Sequence, residues 1–144
     1  MKKRVLRALA LLMLLLLPLL LTACSSREPQ SITGAWMHFE GSSVLPGARD
    51  ILLLQEDGTG AAYCVSQAWR DAATGAALTL EKDLTDACPF TWAAGEGTLT
   101  LACADGGVYT YACALNEGMG VTILSVTDTA TGSTGGWIPV EVSP

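Results

Sequence analysis

From Gly41 onward the chain is broken at short intervals by glycine, often beside proline or aspartate. The breaks fall at Gly41, Pro46-Gly47, Asp57-Gly58, Gly75, Gly95 to Gly97, Asp105-Gly106-Gly107, Gly118 to Gly120 and Gly132 to Gly136. Most of the segments between them are eleven residues or shorter, nearer the length of a strand than of a packed helix. They carry strand chemistry: "LTL" at 78–80, "FTW" at 90–92, "TLTLA" at 98–102, "VYTYA" at 108–112 and "VTILSV" at 121–126. Nowhere does an apolar 3.6-residue period persist beyond two turns. The expectation is an all-β domain of eight or nine antiparallel strands joined mainly by tight turns, an up-and-down meander barrel or a β-sandwich.

The first 24 residues follow a different rule. Met1-Lys2-Lys3-Arg4 and Arg7 precede a leucine-rich run, Ala8 to Ala23, that carries no charge. At 16 residues, with Pro18 inside it, the run is shorter than the about 20 residues of a spanning helix and reads as a cleaved export signal. Leu21-Thr22-Ala23-Cys24 resembles the lipobox of bacterial lipoproteins. That resemblance implies a signal peptide over 1–23 and a diacylglyceryl group on the Cys24 thiol. It also implies a domain held by lipid on the extracytoplasmic side of the bacterial cell envelope. Each buried methylene contributes about 0.8 kcal/mol, so two or three acyl chains suffice as an anchor. Ser25 replaces the aspartate that commonly retains lipoproteins at an inner membrane. Residues 24–31, containing "SSREPQS", read as the lipidated cysteine and a polar tether, and 32–144 as a single barrel domain.

Beyond the signal only Arg27, Arg49, Arg70 and Lys82 stand against fourteen acidic residues, a net charge of −10. Phosphate binding needs clustered Lys and Arg, so a nucleic-acid partner is excluded as an expectation.

Gly34-Ala35-Trp36, followed by the nine-residue stretch "GSSVLPGAR" before Asp50, resembles the lipocalin arrangement of a Gly-x-Trp opening the first strand and a long first loop. "ILLLQEDGTG" and "PFTWAAGEGTLTLACADGG" are similar to small lipocalin-like lipoprotein domains of bacteria. The resemblance implies a barrel closed at the Gly-x-Trp end, open beneath the long loop, and a cup for a small molecule.

The chemical inventory is thin. His38 is the only histidine, and the chain has no nucleophile turn of the Gly-x-Ser-x-Gly kind. Burying Met37 and Phe39 is the larger apolar gain and would turn His38 to water; Trp36 pointing inward would bring His38 in with it. Glu56-Asp57 and Asp83 to Asp86 fall at expected turns, where aspartate serves local hydrogen bonds. Cys64, Cys88, Cys103 and Cys113 contain no Cys-x-x-Cys pair. No enzyme activity, cofactor or metal site is expected.

Three functions remain: a binder of a small apolar ligand, a protein-binding or inhibitor module, and a structural envelope lipoprotein without a ligand. The large inward candidates Tyr63, Phe90, Trp92, Tyr109 and Tyr111 leave open whether the interior is empty or filled. A two-residue turn at Gly95-Glu96 would set Cys88 opposite Cys103, within disulfide reach at a Cα separation of about 4.5–5.5 Å. Cys64 and Cys113 would remain as a second pair; four free buried thiols are the alternative. In an up-and-down barrel alternate connections share an end, which would gather Gly41–Arg49, Trp69–Ala76, Ala94–Gly97 and Asn116–Gly120. Val44, Leu45, Trp69 and Met119 would then form one apolar rim, with Trp69 as anchor for a ligand or an envelope protein.

Overall fold

The computed structural model describes residues 31–72, 77–118 and 120–144. The expected signal segment 1–23, the lipidation site Cys24, the tether up to residue 30 and the rim candidate Met119 lie outside the described residues. Ten strands are present among those described: β1 (Gly34–Gly41), β2 (Ile51–Leu54), β3 (Thr59–Val65), β4 (Leu78–Thr79), β5 (Leu84–Gly95), β6 (Thr98–Cys103), β7 (Val108–Gly118), β8 (Val121–Asp128), β9 (Thr134–Pro139) and β10 (Val142–Ser143). Eight close into a barrel in the order β1-β2-β3-β5-β6-β7-β8-β9, every pair antiparallel and β9 returning to β1. The domain is all-β and the barrel form, rather than the sandwich, is the one adopted. Closure satisfies both edges of every strand in the ring.

Alternation along the strands sorts side chains to the two faces. Trp36, Leu52, Leu54, Phe90, Leu99, Leu101, Tyr111, Leu124, Val126 and Trp137 belong to one buried cluster that fills the barrel, with Trp92, Cys88, Cys113 and Leu115 packed against it. Of the large inward candidates, Phe90, Trp92 and Tyr111 are therefore interior. Tyr63 belongs to a second cluster, and Tyr109 is 38% exposed. An eight-stranded ring is just wide enough for side chains to fill, and these do.

The second cluster lies on the other face of the wall made by β1, β2 and β3. Ile51 and Val65 are buried there, and Met37 and Tyr63 pack against the same group. Their cover comes from two excursions that add no strand to the ring. The segment between β3 and β5 contributes Trp69 on the short helix Gln67–Ala72, and Leu78 and Leu80 around β4. The chain after β9 contributes Val140 and Val142, and β10 pairs in parallel with β4. The one-turn helix Leu80–Asp83 ends on a buried aspartate whose carboxylate accepts the Thr79 N–H at 2.8 Å. "LTL" thus forms a strand at only two residues and lies outside the barrel. The reason is in β2: "ILLL" is apolar on both faces and needs cover on both.

That excursion alters which loops share an end. The Ser42–Asp50 connection lies at the upper end, and the segment 66–83 leaves and returns there, with Ser66 N–H donating to the Asp83 carbonyl at 2.7 Å. Because β4 is not in the ring, the next connection falls at the lower end. The turns at Glu96-Gly97 and between Gly118 and Val121 therefore join the Gln55–Gly58 turn below, while 104–107 and 129–133 lie above. The expected gathering of Ala94–Gly97 and Asn116–Gly120 with the first loop is corrected.

Two local expectations also change. Gly95 pairs with Thr98, so the β5–β6 turn is Glu96-Gly97, both at positive φ (52° and 75°), a type I′ turn rather than one opened by Gly95. The register moves by two: Phe90, not Cys88, lies opposite Cys103. His38 does not face water. It pairs directly with the interior Trp137, their ring centroids 5.0 Å apart, and Phe39 is the residue left 41% exposed. Burying the larger indoles of Trp36 and Trp137 sets the strand's parity and takes His38 inward.

Candidate functional site

The two ends of the barrel are closed by different chemistry. At the lower end, Trp36 Nε1 donates to the Ile32 carbonyl at 2.8 Å, folding the entering chain beneath the core, where Ile32 is buried. Trp92 Nε1 donates at 3.0 Å to both the Gln55 and the Thr59 carbonyls, tying the β2–β3 turn to β5. Inside that turn the Asp57 carboxylate accepts the Thr59 hydroxyl and N–H, and the hydroxyl bond holds its pKa below the usual 3.8.

The upper end is covered by one long connection, 42–50. Pro46 and Gly47 make a type II turn, with Ala48 N–H donating to the Leu45 carbonyl at 2.9 Å and Gly47 at φ 67°. The turn aims Leu45 back into the barrel, where it is only 3% exposed and part of the interior cluster, with Val44 packed beside it. An apolar side chain on a loop thus completes the core from above.

Polar contacts hold this loop down. The Tyr111 hydroxyl, an interior group, donates to the Val44 carbonyl at 3.0 Å. Burial pushes that phenol's pKa up, with the Asp128 carboxylate adding to the shift, so it stays a donor through neutral pH. Arg49 binds its own loop at the Pro46 carbonyl (2.6 Å) and reaches β5, where Nε donates to the Asp86 carbonyl at 2.7 Å and Nη2 pairs with the Asp86 carboxylate at 3.2 Å. Asp86 holds a left-handed backbone, φ 54°, which aspartate tolerates better than most residues. Arg49 is one of three basic residues between positions 32 and 144; a second, Arg70, pairs with Asp50 at the same end.

Under the loop two buried ring nitrogens have no hydrogen-bond partner, His38 Nε2 and Trp137 Nε1. The indole nitrogen is directed toward Gly135, where an added Cβ would lie 3.4 Å from it. Trp69 Nε1 is the third such atom, in the outer cluster.

The rim candidates do not meet. Val44 and Leu45 close the upper mouth, Trp69 packs on the outer wall, and Gly118 and Gly120, the neighbours of Met119, sit at the lower end. The cysteines separate as well. Cys88 and Cys103 bring their sulfurs to 3.7 Å, Cys64 lies 3.8 Å from the Asp86 carboxylate, and Cys113 pairs in the β7–β8 ladder with Val126. All four are free thiols here. Cys64 and Cys113, on strands three places apart around the ring, are not brought together.

The sequence reading gave Arg49, Asp86 and Tyr111, the residues that latch the loop, no part in holding it. The scarcity of basic residues was the available signal for Arg49. The other two contacts, 37 and 67 residues away in sequence, have no local signature. Among the described residues no group of three or more His, Cys, Asp or Glu side chains is placed to hold a metal. Comparison with known proteins returns no matching family, no matching characterised protein and no matching solved structure.

Proposed function

We propose that this domain binds a small apolar ligand at the upper end of its barrel and does so as a lipid-anchored lipoprotein of the bacterial cell envelope, held through Cys24. The observation that carries the reading is Leu45, a loop side chain seated in the interior cluster at the mouth of the barrel. Its site is an apolar position that the protein fills from a segment able to withdraw. A ligand binds by replacing Leu45, and Val44 beside it, when the loop lifts. The unpartnered indole N–H of Trp137 favours a ligand with one acceptor oxygen, since an acceptor there recovers a bond that the closed form lacks. The lipocalin-like reading draws support from the meander topology, from Trp36 at the lower closed end, and from the long loop over the upper one. Trp69, packed on the outer wall, drops out of the binding rim.

Titration of the full chain with the fluorescent probe N-phenyl-1-naphthylamine tests this. Leu45→Ala is expected to take up the probe about tenfold more tightly than the wild type, and Leu45→Trp to exclude it. Equal uptake by both variants, or none by either, overturns the reading.

A second reading, a protein-binding module, rests on a different face. The outward positions of β5, β6 and β7 include Thr91, Ala93, Thr98, Ala102, Val108, Thr110, Ala112 and Ala114, all solvent-exposed and all uncharged. Val108 is 66% exposed. A smooth neutral wall on an acidic molecule suits protein contact, and substituting Thr110→Glu with retention of all envelope partners would exclude it.

A further inference from the structure

We propose that Cys88 and Cys103 form a thiol–disulfide exchange site at the upper end of the barrel, in which Cys88 meets an incoming disulfide and Cys103 resolves the mixed disulfide to an intrachain bridge. The inference is independent of the ligand reading.

The register brings the pair together by a route other than direct opposition. With Phe90 opposite Cys103, Cys88 is the diagonal neighbour of Cys103 on the same face of the β5–β6 ladder. Diagonal positions reach one another with longer side chains. Here the two sulfurs are 3.7 Å apart. A disulfide needs about 2.05 Å, so closing the bridge asks the sulfurs to approach by about 1.7 Å. Irregular backbone adjoins both residues: Asp86, two residues before Cys88 in β5, carries a positive φ where the β3–β5 register shifts, and Cys103 ends β6 at the 104–107 turn.

Exposure assigns the roles. Cys88 is half-buried and Cys103 buried, so an external disulfide meets Cys88 first. The Cys88 thiolate attacks one sulfur of a disulfide R–S–S–R, forming Cys88–S–S–R and releasing one thiolate that leaves as R–SH. The Cys103 thiol then loses its proton to solvent and attacks the Cys88 sulfur, forming the Cys88–Cys103 bond and releasing the second R–SH. Two thiols are oxidised and one disulfide is reduced, so the oxidant is a disulfide of small-molecule or protein origin. Burial, with the neighbouring Cys88, pushes the Cys103 thiol of the reduced pair up to about 11, which keeps Cys103 from opening the exchange; the share owed to Cys88 is relieved once Cys88 carries the mixed disulfide, and bridge formation accelerates as pH rises.

The other cysteines are placed as built-in controls. The Cys64 sulfur sits against the Asp86 carboxylate, and burial together with that charge raises its pKa, disfavouring attack. Cys113 lies near the lower end, its N–H donating to the Gly97 carbonyl at the β5–β6 turn.

The experiment incubates the reduced full chain with bis(2-hydroxyethyl) disulfide at pH 7, 8 and 9, quenches with acid, and maps peptides without reduction. The proposal expects a single dominant Cys88–Cys103 peptide that forms several-fold faster per pH unit. It expects Cys103→Ala to accumulate the mixed disulfide at Cys88, and Cys88→Ala to leave Cys103 unmodified while folded. Cys64→Ser and Cys113→Ser bridge as the wild type does, which keeps the test intact if either single variant at 88 or 103 misfolds. A bridge using Cys64 or Cys113, a mixed disulfide that persists in the wild type, or no reaction in the folded chain overturns it.

Discussion

The lower end of the barrel is closed by short turns and two tryptophan N–H groups, whereas the upper end is closed by a nine-residue loop whose one deeply seated side chain is Leu45. Below, Trp36 and Trp92 each belong to strands of the ring and bond directly to the chain they close, Ile32, Gln55 and Thr59. Opening that end means breaking the barrel. Above, Leu45 hangs from a turn held by Arg49, Asp86 and Tyr111, so lifting the loop leaves all eight ladders intact. The two closures therefore differ in what must break to undo them, and the cheaper one marks the site of exchange.

The largest expected effect breaks the lower closure. Trp92→Ala removes interior packing and both bonds to the β2–β3 turn, and a loss of about 3–5 kcal/mol in chemical denaturation is expected. Leu45→Ala, although Leu45 is the more deeply buried of the two, is expected to cost only about 2 kcal/mol, because the loop can settle into the space where a ring strand could not. Losses of equal size would erase the distinction between the ends.

Alkali sharpens the upper end's chemistry. Cys103 is raised in the folded state from the ordinary 9.0 to about 11, so its contribution is fully present below pH 9 and is lost as pH rises through 11. Reduced protein is expected to lose stability over that window from the Cys88–Cys103 thiols. Tyr111, also raised by burial, adds to the loss. Oxidised protein lacks the Cys103 share, so urea unfolding of the two forms at pH 8 and pH 10 isolates it.

Arg49→Ala removes the latch but not the plug. Asp86 is 67% exposed, so the pair is worth little, and the expected cost is about 1 kcal/mol or less with faster probe entry and an unchanged core. Unaltered entry kinetics by stopped-flow would show that the latch does not hold the loop. The smallest effect is a gain: Glu96 occupies the left-handed position of a type I′ turn that prefers asparagine. Glu96→Asn is expected to raise stability by about 0.5 kcal/mol, measured as a shift in urea midpoint, without affecting the upper end.

How far the sequence foretold this molecule differs by region. The ring was legible because glycine-bounded segments such as "TLTLA", which alternates cleanly, and "VTILSV", rich in β-branched residues, pair with their sequence neighbours. The covering layer was not read, although its signal was present: "ILLL" lacks alternation, and a strand apolar on both faces must be covered twice. Missing it placed "LTL" in the barrel and inverted every later loop, which is how Asn116–Gly120 was grouped with Leu45; Trp69 leaves the ring at the same end as Leu45 but turns to the outer wall as part of the cover. The β5–β6 register failed for a different reason. Gly95 and Gly97 each allow a tight turn, and the ladders on either side decide between them. Of the site, Val44 and Leu45 were legible as apolar residues in a long loop, while its latch, made of contacts between distant strands, was not.

The central claim is that the upper mouth, and not the lower closure or the outer wall, exchanges its own side chain for a ligand. The most direct measurement is heteronuclear NMR of the labelled chain during titration with N-phenyl-1-naphthylamine. The account predicts shifts at the Val44 and Leu45 methyls, the Trp137 indole N–H and the Arg49 side chain, with Ile32, Trp92 and Val108 unmoved. Shifts centred on Ile32 and Trp92, or on the wall around Val108, would contradict it.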